Sequence, residues 1–536
     1  MRNIPSRAWL LALLSGVLQI LVFPKPNLYF LAWVAIVPLL YALLRGRGGE
    51  GEMFDSEGRS LRPFTLWQGF LIGWFCGIIW YLGTCYWVYP VMNTYGGLPA
   101  PVAVLITLGY GLIMGVHHGI FGMLVVLMAR RSSAGNRRPL LLAPFFWVAI
   151  ELMRDHIIGV PWIPLGGSQI DNIPFARIAQ TTGVYGLSFA IMLVNCAFVA
   201  AMLLYGQRRK NLLISAAAAA VALQIGVFAK LPSFPATQQA VLVQENVPLL
   251  DQPQWTPRYF DETISSLARI SVDASKPRRA ADNPGLIIWP ESPAPFFIAD
   301  PRLQQWLVAM AQDTNSYLVI GSLGETTPTD GKQQLLNSAL VMDPHGNMVG
   351  RYDKIHLVPY GEYVPYQNLL FFASKLTREV GDFARGTQRK VFDFNGTRAS
   401  VFICYESIFP DEVREFTANG AQVLINISDD LWYGETGAPA QHLQMARMRA
   451  VENHRWILLS TNNGTTASID PFGRVVKQAP RNVRTALVVP YSPQTEITLY
   501  TRYGDVFAWI CVVISLLAAL VRWRYAAPTM IEARPA

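Results

Sequence analysis

The chain has 536 residues, of which 52% are apolar and only 15% are charged. This length exceeds one ordinary domain, and this apolar content excludes a wholly soluble protein, so membrane-spanning segments are expected. The formal net charge of +8 comes largely from basic residues that flank apolar runs, so it does not indicate a nucleic-acid-binding surface.

The apolar runs predict about eight membrane spans. They lie at about residues 9–23, 28–44, 67–89, 101–128, 140–153, 184–205, 212–229 and 506–523. The first, second and fifth runs are short against the ~20 residues that a helix needs to cross a bilayer. The first run lacks a small-residue cleavage site, which favours a retained anchor over a removed signal peptide.

Basic residues are concentrated in alternate connections between these runs, at residues 2–7, 45–62, 130–138, 208–210 and 522–524. Because cytoplasmic loops carry the excess of Lys and Arg, both termini are predicted to be cytoplasmic, with residues 230–503 outside the cytoplasm. We therefore expect a membrane domain of about seven helices over residues 1–232, an extramembrane domain over 233–495, and a C-terminal membrane helix with a cytoplasmic tail over 496–536.

The composition changes between residues 240 and 490. Strand-like runs are predicted at residues 240–244, 286–289, 317–321, 338–342, 400–404, 423–427, 457–460, 466–469 and 486–489. Helices are predicted at residues 257–273, 301–314, 410–419 and 439–453, each beginning with a proline, which is favoured in the first helical turn. This alternation predicts a layered α/β domain.

Cys404 is the cysteine that stands apart from the rest. It ends the strand-like run 399–403, whereas the other four cysteines lie in long apolar stretches. A side chain at the carboxyl end of a strand opens into the crevice where α/β proteins place a nucleophile. A free cysteine is by itself more often a small buried hydrophobe, so the interpretation depends on its neighbours. The extramembrane segment has no second cysteine and so no internal disulfide.

Polar residues at other strand ends complete the pattern. Glu291 follows the apolar strand 286–288, Lys354 follows a mixed segment, and Glu362 comes eight residues later. Glu406 lies two residues after Cys404. Each of these is, taken singly, more often a surface or ion-pair residue than a catalyst, but together they form a specific constellation.

The order of Glu291, Lys354 and Cys404 resembles the nitrilase (carbon-nitrogen hydrolase) superfamily, and segments 426–434, 441–447 and 461–464 extend the match. With membrane spans on both sides, the whole chain resembles the apolipoprotein N-acyltransferase family. The resemblance implies a multi-span α-helical membrane domain plus an extramembrane α/β domain, an αββα nitrilase-like sandwich. It also implies a Glu-Lys-Cys triad of those three residues, supported by Glu362, Tyr405 and Glu406.

The chemistry of such a triad is acyl transfer. Glu291 would take the proton of the Cys404 thiol, while the Lys354 ammonium favours the thiolate. Lys354 and the Tyr405 backbone N–H would stabilise the oxyanion formed when the sulfur attacks an ester. The resulting thioester still reacts with an amine, which predicts ping-pong transfer. No cofactor is implied, the histidines show no metal-ligand spacing, and His356, His442 and His454 are assigned structural roles.

Apolar segments in the α/β domain predict contact with lipid, although residues 296–297 could equally be ordinary core. They include residues 295–298, 366–372 and 431–433. The predicted lipid-contacting residues are Trp255 (by the resemblance), Leu369, Phe371, Phe372 and Trp432. The resemblance implies a phospholipid acyl donor, a diacylglyceryl-apolipoprotein acceptor, and a bacterial inner membrane location with the catalytic domain in the periplasm.

Two alternatives remain at this point. A membrane-tethered amidase or nitrilase would use the same triad but release free acid to water. A transporter or lipid-binding module with an inert α/β cap should carry paired charges within its spans. The sequence shows only scattered ionisable residues there, such as His117, His118 and Glu151, which disfavours the transporter.

Overall fold

The computed structural model describes residues 4–46, 61–130, 138–204, 206–250, 254–276, 285–326, 334–363 and 383–526. The chain divides into two compact units, Met1–Tyr86 with Val104–Ala229 and Asp505–Ala536, and Trp87–Ala103 with Lys230–Gly504. The α-helices of the described residues are, in chain order, α1 Ser6–Val22, α2 Val37–Arg45, α3 Leu66–Thr84, α4 Val88–Pro90, α5 Ala100–Ala129, α6 Arg138–Ile157, α7 Ile173–Ala176, α8 Ala179–Thr182, α9 Val184–Met202, α10 Gly206–Gln224, α11 Pro257–Ser275, α12 Pro301–Thr314, α13 Pro410–Ala418, α14 Ala438–Asn453, α15 Leu499–Tyr503 and α16 Val506–Ala526.

The first unit is helical and apolar. Within the described ranges, five helices are long and apolar enough to cross a membrane: Leu66–Thr84, Ala100–Ala129, Val184–Met202, Gly206–Phe228 and Val506–Trp523. Two shorter apolar helices, Ser6–Val22 and Tyr29–Arg45, lie over the first two predicted runs. The chain is therefore a membrane protein, and the total of eight spans stays a prediction.

Glycines bring α3 and α5 into backbone contact. Gly69, Gly73 and Gly77 repeat every fourth residue along one face of α3, so the side-chain layer is missing from that face. A Cβ atom at Gly73 would lie 2.1 Å from the backbone oxygen of His118, and one at Gly122 would lie 2.4 Å from the backbone oxygen of Gly69. Small residues at helix interfaces are the usual route to such close packing in membranes.

A buried polar network also links three helices of this unit. Arg154 in α6 donates from Nε to Asp155 Oδ1 at 2.8 Å and from a terminal nitrogen to the Tyr81 hydroxyl in α3 at 2.9 Å. The Tyr185 hydroxyl in α9 donates to Asp155 Oδ2 at 2.7 Å. Arg154 and Asp155 form a buried ion pair. Both residues follow the predicted run 140–153, so the pair lies outside the spans that the sequence indicates.

The second unit contains two six-stranded sheets. The strands are β1 Gln238–Gln244, β2 Gly285–Ile288, β3 Ser316–Glu325, β4 Leu335–Met342, β5 Met348–Asp353, β6 Phe392–Phe394, β7 Thr397–Ile403, β8 Val423–Ser428, β9 Trp456–Thr461, β10 Ala467–Ile469, β11 Val475–Gln478 and β12 Thr485–Tyr491. The strand order is β12-β1-β2-β3-β4-β5 in one sheet and β11-β10-β9-β8-β7-β6 in the other. The runs β1-β2-β3 and β7-β8-β9 are parallel, so their carboxyl ends share an edge.

Two apolar cores give the second unit its layers. One core joins the facing sheets, with side chains such as Leu242 and Ile288 against Val401 and Ile425. The other packs the outer face of the first sheet against α11 and α12, through side chains such as Ile264 and Leu307. Helices α13 and α14 cover the second sheet. The predicted fold class, a helical membrane domain plus an αββα sandwich, is confirmed.

The predicted strands and helices of the α/β domain are all present, with ends shifted by a few residues. Three strands were missed, namely β5, β6 and β11. Each lies at a sheet edge, β11 is largely exposed, and β5 buries only one residue. An edge strand buries few side chains, so it leaves little apolar alternation in the sequence.

The close α3–α5 packing predicts unequal effects of two glycine substitutions. Gly73→Ala should lower the unfolding midpoint of the detergent-purified protein, because relieving the clash with the His118 backbone costs about 1–3 kcal/mol. A Cβ atom at Gly109 in α5 meets nothing within 4 Å, so Gly109→Ala should leave the midpoint unchanged or raise it. Equal midpoints for the two variants would contradict the backbone contact.

Candidate active site

Glu291, Lys354 and Cys404 each follow a strand. Lys354 comes directly after β5, Cys404 directly after β7, and Glu291 three residues after the end of β2. A Cβ atom at Gly321 in β3 would lie 1.9 Å from the Pro290 backbone oxygen, so this glycine lets the segment that carries Glu291 lie against the sheet. The strand-end placement expected from the sequence is present in the structure.

The Lys354 ammonium joins two carboxylates. Its Nζ donates to Glu291 Oε1 at 3.1 Å and to Glu362 Oε1 at 2.9 Å, and the side chain is only 1% exposed. Burial by itself lowers the pKa of Lys354, but the charges of Glu291 and Glu362 outweigh it and hold that pKa well above the usual value. The lysine is therefore a permanent cation at this site.

Asn337 is a member of the site that sequence reasoning missed. Its Nδ2 donates to Glu291 Oε1 at 2.6 Å and to Glu362 Oε1 at 2.7 Å, so it bridges the same two oxygens as Lys354. Its backbone oxygen also accepts from the Lys354 N–H at 2.9 Å. The available signal was a polar amide in the largely apolar strand β4.

Cys404 is buried, with 6% of its surface exposed, and it has a backbone φ of 51°. This left-handed conformation is uncommon for a residue with a Cβ atom and marks a sharp turn from β7 into the following 3₁₀ segment. Burial and then Glu291 raise the pKa of the Cys404 thiol well above its usual value, while Lys354 and a hydrogen bond with Ser428 lower it. Lys354 thus favours the thiolate as expected, but the thiol is protonated at rest.

Glu406 connects two segments of the site by accepting hydrogen bonds from their backbone N–H groups. Its Oε1 accepts from the backbone N–H groups of Ile355 and His356 at 2.6 and 3.1 Å, and its Oε2 accepts from Ile403 N–H at 2.6 Å. The Tyr352 hydroxyl donates to both oxygens. Burial raises the pKa of Glu406 to about 7, and the donated hydrogen bonds partly offset this. Glu406 therefore ties the turn after Lys354 to the strand end before Cys404.

The predicted lipid-contacting residues are spread over several segments. Trp255 is partly buried and lies 5.2 Å, centroid to centroid, from the Tyr259 ring. Trp432 makes an edge contact with Tyr95 at 6.4 Å. Leu369, Phe371 and Phe372 lie outside the described residues. Tyr405 is buried and makes an edge contact with Phe409 at 5.3 Å. The lipid-binding roles stay predictions.

Two further buried acids, Asp429 and Glu245, lie in this part of the α/β domain, and sequence reasoning missed both. The Asp429 N–H donates to Glu291 Oε2 at 2.9 Å, and its carboxylate accepts from Asn462 Nδ2 at 3.0 Å. Burial, followed by the charge of Glu291, raises the pKa of Asp429 to about 8. Glu245 follows β1 and is fully buried, and neither of its carboxylate oxygens has a well-formed hydrogen bond within the described residues.

Burial also raises the pKa of Glu245 to about 8, with Asp429 adding to the effect and with Ser292 and Arg484 opposing it. The signal in the sequence was a carboxylate directly after a strand end, as for Glu291. No group of three or more His, Cys, Asp or Glu side chains in the described ranges is arranged to hold a metal ion.

Comparisons with known proteins match two families to this chain. The carbon-nitrogen hydrolase family matches residues 251–496, and the apolipoprotein N-acyltransferase N-terminal domain family matches residues 15–197. The apolipoprotein N-acyltransferase of Geobacter metallireducens is 34% identical, covering 97% of this chain and 96% of its own. That of Pseudomonas aeruginosa is 32% identical, covering 94% of each chain. A solved amidase from Nesterenkonia sp. is 20% identical with a TM-score of 0.36, covering 52% of this chain and 98% of its own.

The fold and the first match define a membrane protein that carries a carbon-nitrogen hydrolase domain. The chain belongs to the apolipoprotein N-acyltransferase family, as its relatives match it over almost its whole length. It is therefore an acyltransferase enzyme, and the family supports lipoprotein N-acylation as its function. The amidase alternative is not favoured. The transporter alternative requires an inert α/β domain, which is inconsistent with an enzyme.

The pKa of Glu245 predicts how stability depends on pH. The pKa of this carboxyl group is 4.5 in the unfolded chain and about 8 in the folded protein. Between these values the folded state binds the extra proton, so the free energy of unfolding falls as pH rises. Between pH 5 and 8.5, Glu245→Gln should lose less of its free energy of unfolding than the wild type does, by on the order of a few kcal/mol. The measurement is the unfolding midpoint of each protein over this pH range. Glu325→Gln, at an exposed position in β3, is the control and should show the same pH dependence of the unfolding midpoint as the wild type. The wild-type pH dependence in Glu245→Gln would disprove the raised pKa of Glu245.

Proposed function

We propose that this chain transfers a fatty acyl chain from a phospholipid, through a thioester on Cys404, to the N-terminal α-amine of the diacylglyceryl-cysteine of apolipoproteins. The observation that carries the proposal is the buried cation Lys354, hydrogen-bonded to Glu291 and Glu362 and electrostatically coupled to Cys404. Such a group can hold a carboxylate base and a developing oxyanion at one place.

Glu291 is the base in this proposal. Its charge is, after burial, the largest influence on the pKa of the Cys404 thiol, which supports its closeness to the sulfur. Glu362 has a supporting role, because one of its oxygens accepts from Lys354 and Asn337 and the other from the Val358 N–H at 2.7 Å. Glu362 thus balances the Lys354 charge and holds the lysine in position.

The first half-reaction forms the thioester. Glu291 takes the thiol proton as the Cys404 sulfur attacks the ester carbonyl carbon, and the carbonyl oxygen becomes an oxyanion. The Lys354 ammonium and the Tyr405 N–H stabilise this oxyanion. The carbon–oxygen bond to glycerol then breaks, and protonated Glu291 gives its proton to the leaving alkoxide.

The second half-reaction consumes the thioester. The neutral α-amine of the acceptor attacks the thioester carbonyl, Glu291 takes one amine proton, and the carbon–sulfur bond breaks as the amide forms. The proton then returns to the Cys404 sulfur, which restores the resting thiol. Burial of Cys404 and Lys354 supports transfer to an amine over hydrolysis, because a water-poor site protects the thioester.

Mass spectrometry of the intact protein tests this proposal. Incubation with phospholipid should add one fatty-acyl mass to the wild-type protein, whereas Cys404→Ala should show no increment because it lacks the sulfur. Cys196→Ala, which replaces a buried cysteine of α9, is the matched control and should be acylated normally. Equal increments in the wild type and Cys404→Ala would remove Cys404 from the mechanism. Release of free acid from the acylated wild type in the presence of an amine acceptor would restore the hydrolase alternative.

We further propose that both termini are cytoplasmic and that the catalytic domain lies on the periplasmic side of a bacterial inner membrane. The support is the excess of basic residues in alternate connections, such as Arg208 to Lys210. All five native cysteines are buried, so a cysteine introduced at an exposed position is a selective reporter.

Labelling of intact spheroplasts with a membrane-impermeant maleimide checks this topology. Gln388→Cys, at an exposed position in the catalytic domain, should be labelled without permeabilisation. Arg208→Cys, at an exposed position in α10, should be labelled only after the membrane is opened. The reverse pattern would place the catalytic domain in the cytoplasm.

A further inference from the structure

We propose that His442 is a cationic positioning residue that, paired with Asp430, polarises the Cys404–Tyr405 peptide group and strengthens the Tyr405 N–H as an oxyanion donor. This inference rests on the proposed function, because it assigns a task to the Tyr405 N–H in both half-reactions. The sequence had indicated only a structural role for His442.

The contacts of His442 lie directly behind the nucleophile. From α14, its Nε2 atom lies 3.1 Å from the backbone oxygen of Cys404 and 2.6 Å from the Ser407 hydroxyl. Its Nδ1 atom lies 3.1 Å from Asp430 Oδ1. The imidazole is 2% exposed, so water does not compete for these contacts. One ring therefore joins a carboxylate to the carbonyl group of the nucleophile.

The chemistry of the partners decides the protonation state. A carboxylate only accepts, so the Nδ1 atom facing Asp430 carries a proton, and a carbonyl oxygen only accepts, so the Nε2 atom facing Cys404 carries one as well. An imidazolium satisfies both contacts, and the Ser407 hydroxyl then accepts a share of the Nε2 proton. A neutral imidazole with Ser407 donating to Nε2 would leave a lone pair facing the Cys404 oxygen.

The charges around His442 agree with the cationic form. Burial by itself lowers the pKa of His442, but Asp430, the Cys404 carbonyl and Glu291 outweigh it and raise that pKa above the usual value. Asp430 is held in place, because the Ser428 hydroxyl donates to its Oδ1 at 3.1 Å. A Cβ atom at Gly464 would lie 2.1 Å from Asp430 Oδ2, so the Gly464 backbone packs directly against the other carboxylate oxygen.

The effect on catalysis follows from the shared peptide group. The carbonyl of Cys404 and the N–H of Tyr405 belong to one peptide unit, so a cation bonded to the oxygen withdraws electron density and makes the N–H a stronger donor. The same bond holds Cys404 at its φ of 51°, a conformation that needs support from its surroundings. His442 touches neither substrate nor sulfur in this scheme.

Two reactions of the same sulfur separate oxyanion stabilisation from simple positioning. Acylation by phospholipid passes through an oxyanion, whereas alkylation of Cys404 by iodoacetamide displaces iodide and forms none. His442→Gln should slow acyl-enzyme formation about 10- to 100-fold, because loss of a whole oxyanion donor costs about 10²–10³-fold in rate and this variant only weakens one. The same variant should change the alkylation rate by less than about threefold. The amine-dependent decay of the acyl-enzyme should slow by a similar factor.

A matched control and a second variant complete the experiment. His454→Asn replaces the left-handed residue that ends the same helix and should change neither rate, since asparagine tolerates this conformation. Asp430→Asn removes the counter-ion of the imidazolium, so it should also slow acylation of Cys404 more than alkylation of Cys404. This second variant keeps the inference testable if His442→Gln folds poorly.

Three results would overturn the inference. Equal slowing of acylation and alkylation in both variants would make His442 a residue that only holds the thiol. Unchanged acylation in the variants would show that the imidazole is not needed for the oxyanion. Wild-type rates in Asp430→Asn together with slow acylation in His442→Gln would indicate a neutral imidazole that accepts from Ser407. A wild-type protein that forms no acyl-enzyme would instead refute the proposed function itself.

Discussion

The buried ammonium of Lys354, shared by Glu291 and Glu362, is the interaction on which the rest of the site depends. A lysine at 1% exposure is tolerated only when carboxylates and hydrogen bonds replace the lost water. The two carboxylates in turn need donors, which Asn337 and the Asp429 N–H supply. Removal of one partner leaves an uncompensated buried charge, which typically costs 3–5 kcal/mol. The interactions that hold the side chains of the site in position are therefore the same ones that stabilise its buried charges.

This constraint explains why the thiol is protonated at rest. The carboxylate that would take its proton also opposes the formation of a second negative charge beside it, and burial adds to the effect. In the proposed mechanism the thiolate is therefore formed during attack, when Glu291 becomes neutral as it gains the proton. A buried and protonated cysteine is protected from adventitious oxidation, because the thiolate is the reactive form.

Much of this arrangement was predictable from the sequence, because strand ends and apolar runs are local features. Glu291, Lys354 and Cys404 were found as polar or nucleophilic residues at the ends of β2, β5 and β7, although β5 itself, an edge strand, was missed. Asn337 was not found, since its partner Glu291 is 46 residues away in the chain. Asp429 lies 138 residues from Glu291, and no local pattern links the two.

The sequence by itself determined the class of the molecule, namely an apolar helical domain and an α/β sandwich, because hydropathy and strand periodicity are local properties of the chain. The Glu-Lys-Cys constellation was recognised through its resemblance to a known family. Only the tertiary structure decided which side chains share a proton or a charge. The pairing of His442 with Asp430, the hydrogen bonds of Glu406 and the burial of Glu245 depend on contacts between distant strand ends. Those contacts set the local dielectric environment and the hydrogen-bond partners, which no stretch of sequence specifies alone.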